Sequence, residues 1–293
     1  MQARIARPEI PLPDDLAGWD DLFARQEEAV VAVNARTLAR YRPVLRTEQV
    51  AGLAVEIVKP VTVSRANARI VYLHGGGYTL FSARSSLFAS VPLAHELGLE
   101  LWSIDYPRAP RSTYDRTVPA VVDALQQILQ GSRPVLLVGD SAGGGLAVAA
   151  TLALSERGLK PAALALWSPW CDVSGDDMSH RWLAAADPVL RYRDELERGA
   201  LAYASRDCHR DSAVSPLYGN FDAGFPPVLI QCGTREILLS GCIGLHRRIH
   251  EAGATAILDL YDGMYHSFPS VTPDVPEAVV ARRTVAAFFA RHG

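Results

Sequence analysis

Residues 134–150 read PVLLVGDSAGGGLAVAA, and the parsing of this stretch decides the fold. Val135, Leu136, Leu137 and Val138 are apolar at consecutive positions, which suits a strand covered on both faces rather than one alternating between core and water. From Gly144 onward the small and apolar residues continue as a buried helix would. Between the two lies Gly139-Asp140-Ser141-Ala142-Gly143, a G-x-S-x-G pentapeptide joining strand directly to helix. Such a junction forces the serine into a tight, strained turn, tolerated only if the residues two positions away lack bulky side chains. Gly139 and Gly143 meet that requirement. The Ser141 hydroxyl is then exposed above the sheet edge with the positive end of a helix behind it, a setting that favours negative charge developing in acyl transfer. Two phosphate-binding readings fail on inspection. No Lys-Ser or Lys-Thr stands at the Walker position, and Gly143-x-Gly145 is followed three residues later by Val148 rather than a third small residue.

Working outward, the rest of the chain repeats the same alternation. Candidate strands lie at 68–76 (ARIVYLHGG), 99–106 (LELWSIDY), 134–141, 162–170 (AALALWSPW), 227–233 (PVLIQCG) and 255–263 (TAILDLYDG), with residues 50–61 (VAGLAVEIVKPV) as an antiparallel opening ribbon. Helical periodicity appears at 86–97, 118–129, 144–157, 242–251 and 277–292. Strands alternating with helices predict βαβ units and a mostly parallel sheet flanked by helices, one α/β domain over 1–293. Two segments stand outside the alternation. Residues 1–45 read as helix, with Trp19, Leu22 and Phe23 near one face, and residues 172–224 separate two strands by far more than an ordinary βα loop of about 2 to 6 residues. The insertion is expected to form a helical cap or lid over the C-terminal edge of the sheet, where open α/β sheets bind ligands, with a peripheral decoration as the alternative; Trp19 and Phe23 are expected as pocket or lid contacts or as anchors of their helix.

Composition narrows the classes of partner. Of 293 residues, 49% are hydrophobic and 21% charged, the balance of an ordinary globular chain, which excludes disordered and fibrous readings. With 29 basic against 32 acidic residues and no block of five like charges, neither a nucleic-acid partner nor a polybasic membrane contact is expected. The opening MQARIARPEIPLPDDLAGWDDLF lacks the apolar core of a secretory signal, and no apolar run reaches the ~18 residues of a membrane span. A cytoplasmic location with no membrane partner is the expectation. Cys171, Cys208, Cys232 and Cys242 form no C-x-x-C pair and read as reduced. The expected partner is a small molecule; the sequence leaves a homodimer open.

A serine nucleophile needs a base, and the base an orienting carboxylate. Among eight histidines, His266 follows the last strand in Gly263-Met264-Tyr265-His266-Ser267-Phe268, on a loop at the sheet's C-terminal edge. His246 and His250 stand at i and i+4 without the Glu of an H-E-x-x-H site, and His95, His180, His209 and His292 carry no motif. No metal site is expected. For the acid, Glu236 is the one carboxylate in the loop 234–238; Asp259, within a strand, and Asp262, four residues before His266, are its rivals. Upstream, His74-Gly75-Gly76-Gly77 closes a strand. Its glycines would let backbone N–H groups approach a substrate oxygen, so that Gly75, Gly76 and the N–H of Ala142 form a three-donor hole, with His74 structural.

Together, HGGGY at 74–78, GDSAGG at 139–144, SPWCD at 168–172, GTREILL at 233–239 and YDGMYHSF at 261–268 resemble the hormone-sensitive lipase family of α/β-hydrolases, over residues 50–290. The resemblance implies an α/β-hydrolase fold and a cap built from the N-terminal segment and the insertion after SPW. It further implies a serine carboxylesterase acting through an acyl-enzyme on short- or medium-chain esters, without cofactor. It assigns Ser141, Glu236 and His266 to the triad and Gly75, Gly76 and Ala142 to the oxyanion hole. Two positions depart from the family pattern: Arg111 replaces an acidic residue in DYPRAPR, and Ser267 replaces glycine after the histidine. Lactones and acetyl esters fit the same machinery, as do thioesters and amides, because specificity resides in the pocket. A non-catalytic small-molecule receptor on the same scaffold is the competing reading, set against an intact Ser141, Glu236 and His266. A metal-dependent hydrolase is disfavoured because no ligand set clusters in the sequence.

Overall fold

Eight strands form one sheet in the order β1-β2-β4-β3-β5-β6-β7-β8 in a computed structural model that describes residues 9–64 and 67–292. The first eight residues of the expected N-terminal cap segment lie outside the described residues. The strands are β1 (Val44–Val50), β2 (Leu53–Lys59), β3 (Arg69–Leu73), β4 (Leu101–Ile104), β5 (Val135–Asp140), β6 (Ala163–Trp167), β7 (Val228–Gly233) and β8 (Ala256–Tyr261). The pairs β1–β2 and β2–β4 are antiparallel, and the five pairs from β4–β3 to β7–β8 are parallel. The chain therefore has the α/β-hydrolase architecture, a mostly parallel sheet flanked by helices.

The consecutive apolar runs find partners on both sides, as the sequence demands. From β3, β5 and β6, Val71, Leu73, Leu137, Leu164 and Leu166 face a core shared with α4 (Tyr114–Leu129) and α5 (Ala142–Glu156). The intervening residues Ile70, Tyr72, Leu136, Val138, Ala165 and Trp167 face α3 (Leu87–Leu97) and the C-terminal helix Pro276–His292. Each such leucine or valine removed from water stabilises the fold by roughly 1.5–3 kcal/mol before chain entropy is counted.

The antiparallel ribbon expected over 50–61 is present but begins six residues earlier, with β1. Its sequence VLRTEQV has no apolar alternation because it is an edge strand with mostly exposed side chains; pairing with β2 through a turn at Ala51 and Gly52, both at positive φ, sets its register. The helical N-terminal segment is correspondingly shorter: α1 (Leu16–Ala29) and α2 (Val31–Tyr41). The insertion 172–224 holds α6 (Met178–Trp182), α7 (Glu197–Tyr203) and short irregular turns. After it come α8 (Leu239–Glu251), α9 (Phe268–Val271) and α10 (Pro276–His292). Among the described residues no helix is long and apolar enough to cross a membrane.

Candidate active site

Ser141 follows β5 directly and caps α5 with φ +53° and ψ −122°, a conformation costing on the order of 1–3 kcal/mol for a residue with a side chain. The surroundings impose it: the Ser141 N–H donates to the Trp167 carbonyl at 2.8 Å, and the Ser141 carbonyl accepts from the Trp170 N–H at 2.8 Å. Helix α5 must then pass close over β3. A Cβ on Gly143 would come 2.1 Å from the Leu73 carbonyl oxygen, so only glycine fits there.

His266, on the loop after β8, brings Nε2 to 2.9 Å from Ser141 Oγ, in hydrogen-bond range. Glu236, on the loop after β7, is fully buried and sits behind the imidazole. Its Oε2 accepts from the Gly233 N–H at 2.9 Å and from the Ser168 hydroxyl at 2.7 Å. Its Oε1 faces His266 Nδ1 across 3.9 Å, beyond a hydrogen bond, and both of these buried atoms lack any other partner. Catalytic contacts of this kind are commonly long in the absence of substrate and tighten when it is bound. The rival carboxylates are engaged elsewhere. Asp259 accepts from Gln231 at 2.9 Å, and Asp262, exposed, from the Thr234 hydroxyl at 3.1 Å.

The glycine loop requires a correction. The Gly75 N–H does not face the cavity as a free donor; it donates to Asp140 Oδ1 at 2.9 Å. Asp140, buried, also accepts from the Tyr72 hydroxyl at 2.5 Å and from Ser270 at 3.2 Å, and burial raises its pKa against the lowering effect of these donors. With Gly75 tied down, the N–H groups of Gly76, Gly77 and Ala142 carry no hydrogen bond to another described residue. Gly76 has φ +114°, and a Cβ there would lie 2.3 Å from the Leu80 carbonyl oxygen. His74 is buried beneath this loop and stacked on Tyr106 at 4.3 Å; burial lowers its pKa to about 4, so it is neutral at pH 7.

Ser141, His266 and the glycine loop open onto a mostly apolar cavity of about 480 Å³. Ile10, Trp19, Val30 and Val33 of the N-terminal segment line it, as do Leu190 and Leu196 of the insertion. Trp19 thus meets the cavity, but Phe23 does not: its ring carries the Arg108 guanidinium at 4.5 Å instead. Arg111, the departure in DYPRAPR, forks onto Asp20 of α1, with Nε 2.9 Å from Oδ1. Among the described residues one group has metal-like spacing, Cys232, Glu236 and Cys242, with ligand atoms within 4.8 Å of one another. Burial raises the Cys242 thiol well above its ordinary pKa, and Glu236 Oε2 already accepts two hydrogen bonds, so this donor set fits a metal ion poorly. Sequence reasoning passed over Asp140 and Ser168, although both stand inside quoted motifs. Their partners Gly75, Tyr72, Glu236 and Ser267 lie far away in the chain.

Comparison with known proteins agrees with this architecture. Residues 70–270 match a family model described as alpha/beta hydrolase fold. An esterase of Acinetobacter venetianus is 32% identical over 249 residues, covering 83% of this chain and 81% of its own. An acetyl-hydrolase of Streptomyces hygroscopicus is 35% identical over 224 residues, 75% of this chain and 74% of its own. Among solved structures, a hormone-sensitive lipase from a metagenome library superposes with a TM-score of 0.86 at 27% identity, covering 98% of this chain and 93% of that one. The chain belongs to the hormone-sensitive lipase family of α/β-hydrolases and is a carboxylic ester hydrolase.

Proposed function

We propose that the protein hydrolyses short- to medium-chain carboxylic esters by a serine mechanism, with Ser141 as nucleophile, His266 as general base and acid, and Glu236 as the carboxylate that orients His266. The observation that carries this reading is the 2.9 Å contact of Ser141 Oγ with His266 Nε2 at the foot of an apolar cavity. As Ser141 Oγ attacks the ester carbonyl, its proton passes to His266 Nε2 and then to the departing alcohol. Water next attacks the acyl-enzyme, giving one proton to His266 and through it to Ser141. Glu236 stabilises the imidazolium formed in each half and favours the tautomer that leaves Nε2 able to accept a proton. The carbonyl oxygen, negative in the tetrahedral intermediates, is held by the N–H groups of Gly76, Gly77 and Ala142, with Asp140 anchoring the loop through Gly75.

Helices α1 and α2 with the insertion 172–224 act as the cap that shapes the acyl site, a reading supported by the residues both contribute to the cavity wall. The apolar lining favours alkyl acyl chains over charged ones, and the acetyl-hydrolase relative supports acetyl esters as substrates. A fluorophosphonate probe should label the protein stoichiometrically at Ser141. Ser141→Ala should fold, fail to label and lose roughly 10⁴- to 10⁶-fold in kcat. Labelling elsewhere, or an active Ser141→Ala variant, would overturn the mechanism.

A further inference from the structure

The residue after the base holds an unusual backbone. Ser267 has φ +47° and ψ +35°, a left-handed conformation that glycine adopts freely and serine adopts at a cost. Its main chain is secured whatever its side chain: the N–H donates to Ser168 Oγ at 2.9 Å, and the carbonyl accepts from the Ser270 hydroxyl at 2.9 Å. A glycine would keep both bonds and remove the strain. What glycine would lack is the hydroxyl, whose oxygen lies 3.3 Å from His266 Nε2 and 3.5 Å from the Trp167 carbonyl, in a residue that lines the cavity. The nitrogen that exchanges protons therefore has two hydroxyls beside it, Ser141 at 2.9 Å and Ser267 at 3.3 Å.

Resting on the acyl-enzyme mechanism proposed above, we propose that Ser267 is a positioning residue for the hydrolytic water and biases the acyl-enzyme towards water over alcohols. Once Ser141 is acylated, its Oγ is an ester oxygen and a poor partner for His266. Ser267 Oγ is then the remaining hydroxyl at that nitrogen, with the Trp167 carbonyl as acceptor for its own proton. A water molecule has two hydrogens. It can direct one at His266 Nε2 and the other at Ser267 Oγ, which turns a lone pair of its oxygen towards the acyl carbon. In the step that follows, the water oxygen bonds to the acyl carbon and the bond from that carbon to Ser141 Oγ breaks. One proton passes through Nε2 to Ser141, and the second remains on the carboxylic acid released. An alcohol has a single O–H, which Nε2 requires, so it gains nothing from Ser267.

The test is the fate of the acyl group with p-nitrophenyl acetate and a fixed concentration of methanol, read as the ratio of acetic acid to methyl acetate. That ratio is set after acylation, whichever step limits turnover, and a change in overall stability does not move it. Ser267→Gly and Ser267→Ala should each shift it towards methyl acetate by about three- to tenfold, the effect of losing one hydrogen bond. A wild-type ratio in Ser267→Gly, whether or not Ser267→Ala shifts, would overturn the proposal by showing that the hydroxyl has no part in the choice. Ser267→Gly relieves the backbone and so guards against a folding defect in the alanine variant. Labelling of each protein at Ser141 by the fluorophosphonate is the separate control: its failure in the wild type would overturn the serine mechanism itself.

Discussion

At Glu236 the two carboxylate oxygens have different surroundings. Oε2 is saturated by the Ser168 hydroxyl and the Gly233 N–H, while Oε1 is left facing His266 Nδ1 at 3.9 Å with no other partner. A fully buried carboxylate held from one side has its remaining charge directed at the imidazole, and that is where an imidazolium gains from it. Replacing it by an amide keeps the shape and loses the charge, so Glu236→Gln should lower kcat by roughly 10²- to 10⁴-fold with a smaller change in KM. Asp262→Asn should leave kcat nearly unchanged, because Asp262 is exposed and bonded to Thr234. Steady-state kinetics of the two variants on one ester decide the matter, and the reverse ranking would move the acid to Asp262.

At the scale of elements, the proposed cap is open to test at a contact between its two segments. Arg198 on α7 donates to the Ile10 carbonyl, joining the insertion to the N-terminal segment beside the cavity that Ile10 lines. Arg198→Ala removes one charge-assisted hydrogen bond and should raise KM by about three- to tenfold with little change in kcat, since the proposed reacting groups lie on sheet loops. An equal fall in kcat would place this contact in the chemistry rather than in the cap. The segment leading from β6 to α6 carries a second lever. Asp177, partly buried and facing the charges of Asp172 and Asp176, has its pKa pushed up to about 7, burial being the main cause. The folded protein therefore holds a proton there that the unfolded chain has released above the ordinary carboxylate range. Asp177 makes stability fall as pH rises from about 4 to about 7. Asp177→Asn should raise Tm at pH 8 and leave it unchanged at pH 4; a Tm difference of equal size at both would show that the charge is not the cause.

At the scale of the whole molecule, both faces of the sheet are buried, and β5 lies between β3 and β6 near its middle. Leu137, fully buried on that strand, has no route to solvent, so Leu137→Ala should cost about 2–5 kcal/mol of unfolding free energy, measurable by denaturant titration. The same two-sided burial explains what was legible in advance. The apolar runs of β3, β5, β6 and β7, the strand-to-helix turn at Ser141, the HGGG loop at the end of β3 and the loop bearing His266 are all local signals, in which period and turn chemistry are carried by neighbouring residues. The sequence alone was enough for the α/β class and for the order of the strands from β2 onward and of the helices α3, α4, α5, α8 and α10 between and after them. It marked an antiparallel ribbon at 50–61 but not residues 44–49, the rest of β1, an exposed edge strand whose identity is conferred by backbone pairing with β2. Nor could it show that Asp140 takes the Gly75 N–H and leaves Gly76 and Gly77 unengaged, that Ser168 links Glu236 to the backbone beside His266, or that Trp19 faces the cavity while Phe23 lies under Arg108. These are choices among partners many residues apart in the chain. They depend on which donors and acceptors remain unsatisfied once the sheet has closed, and that is settled only in the tertiary structure.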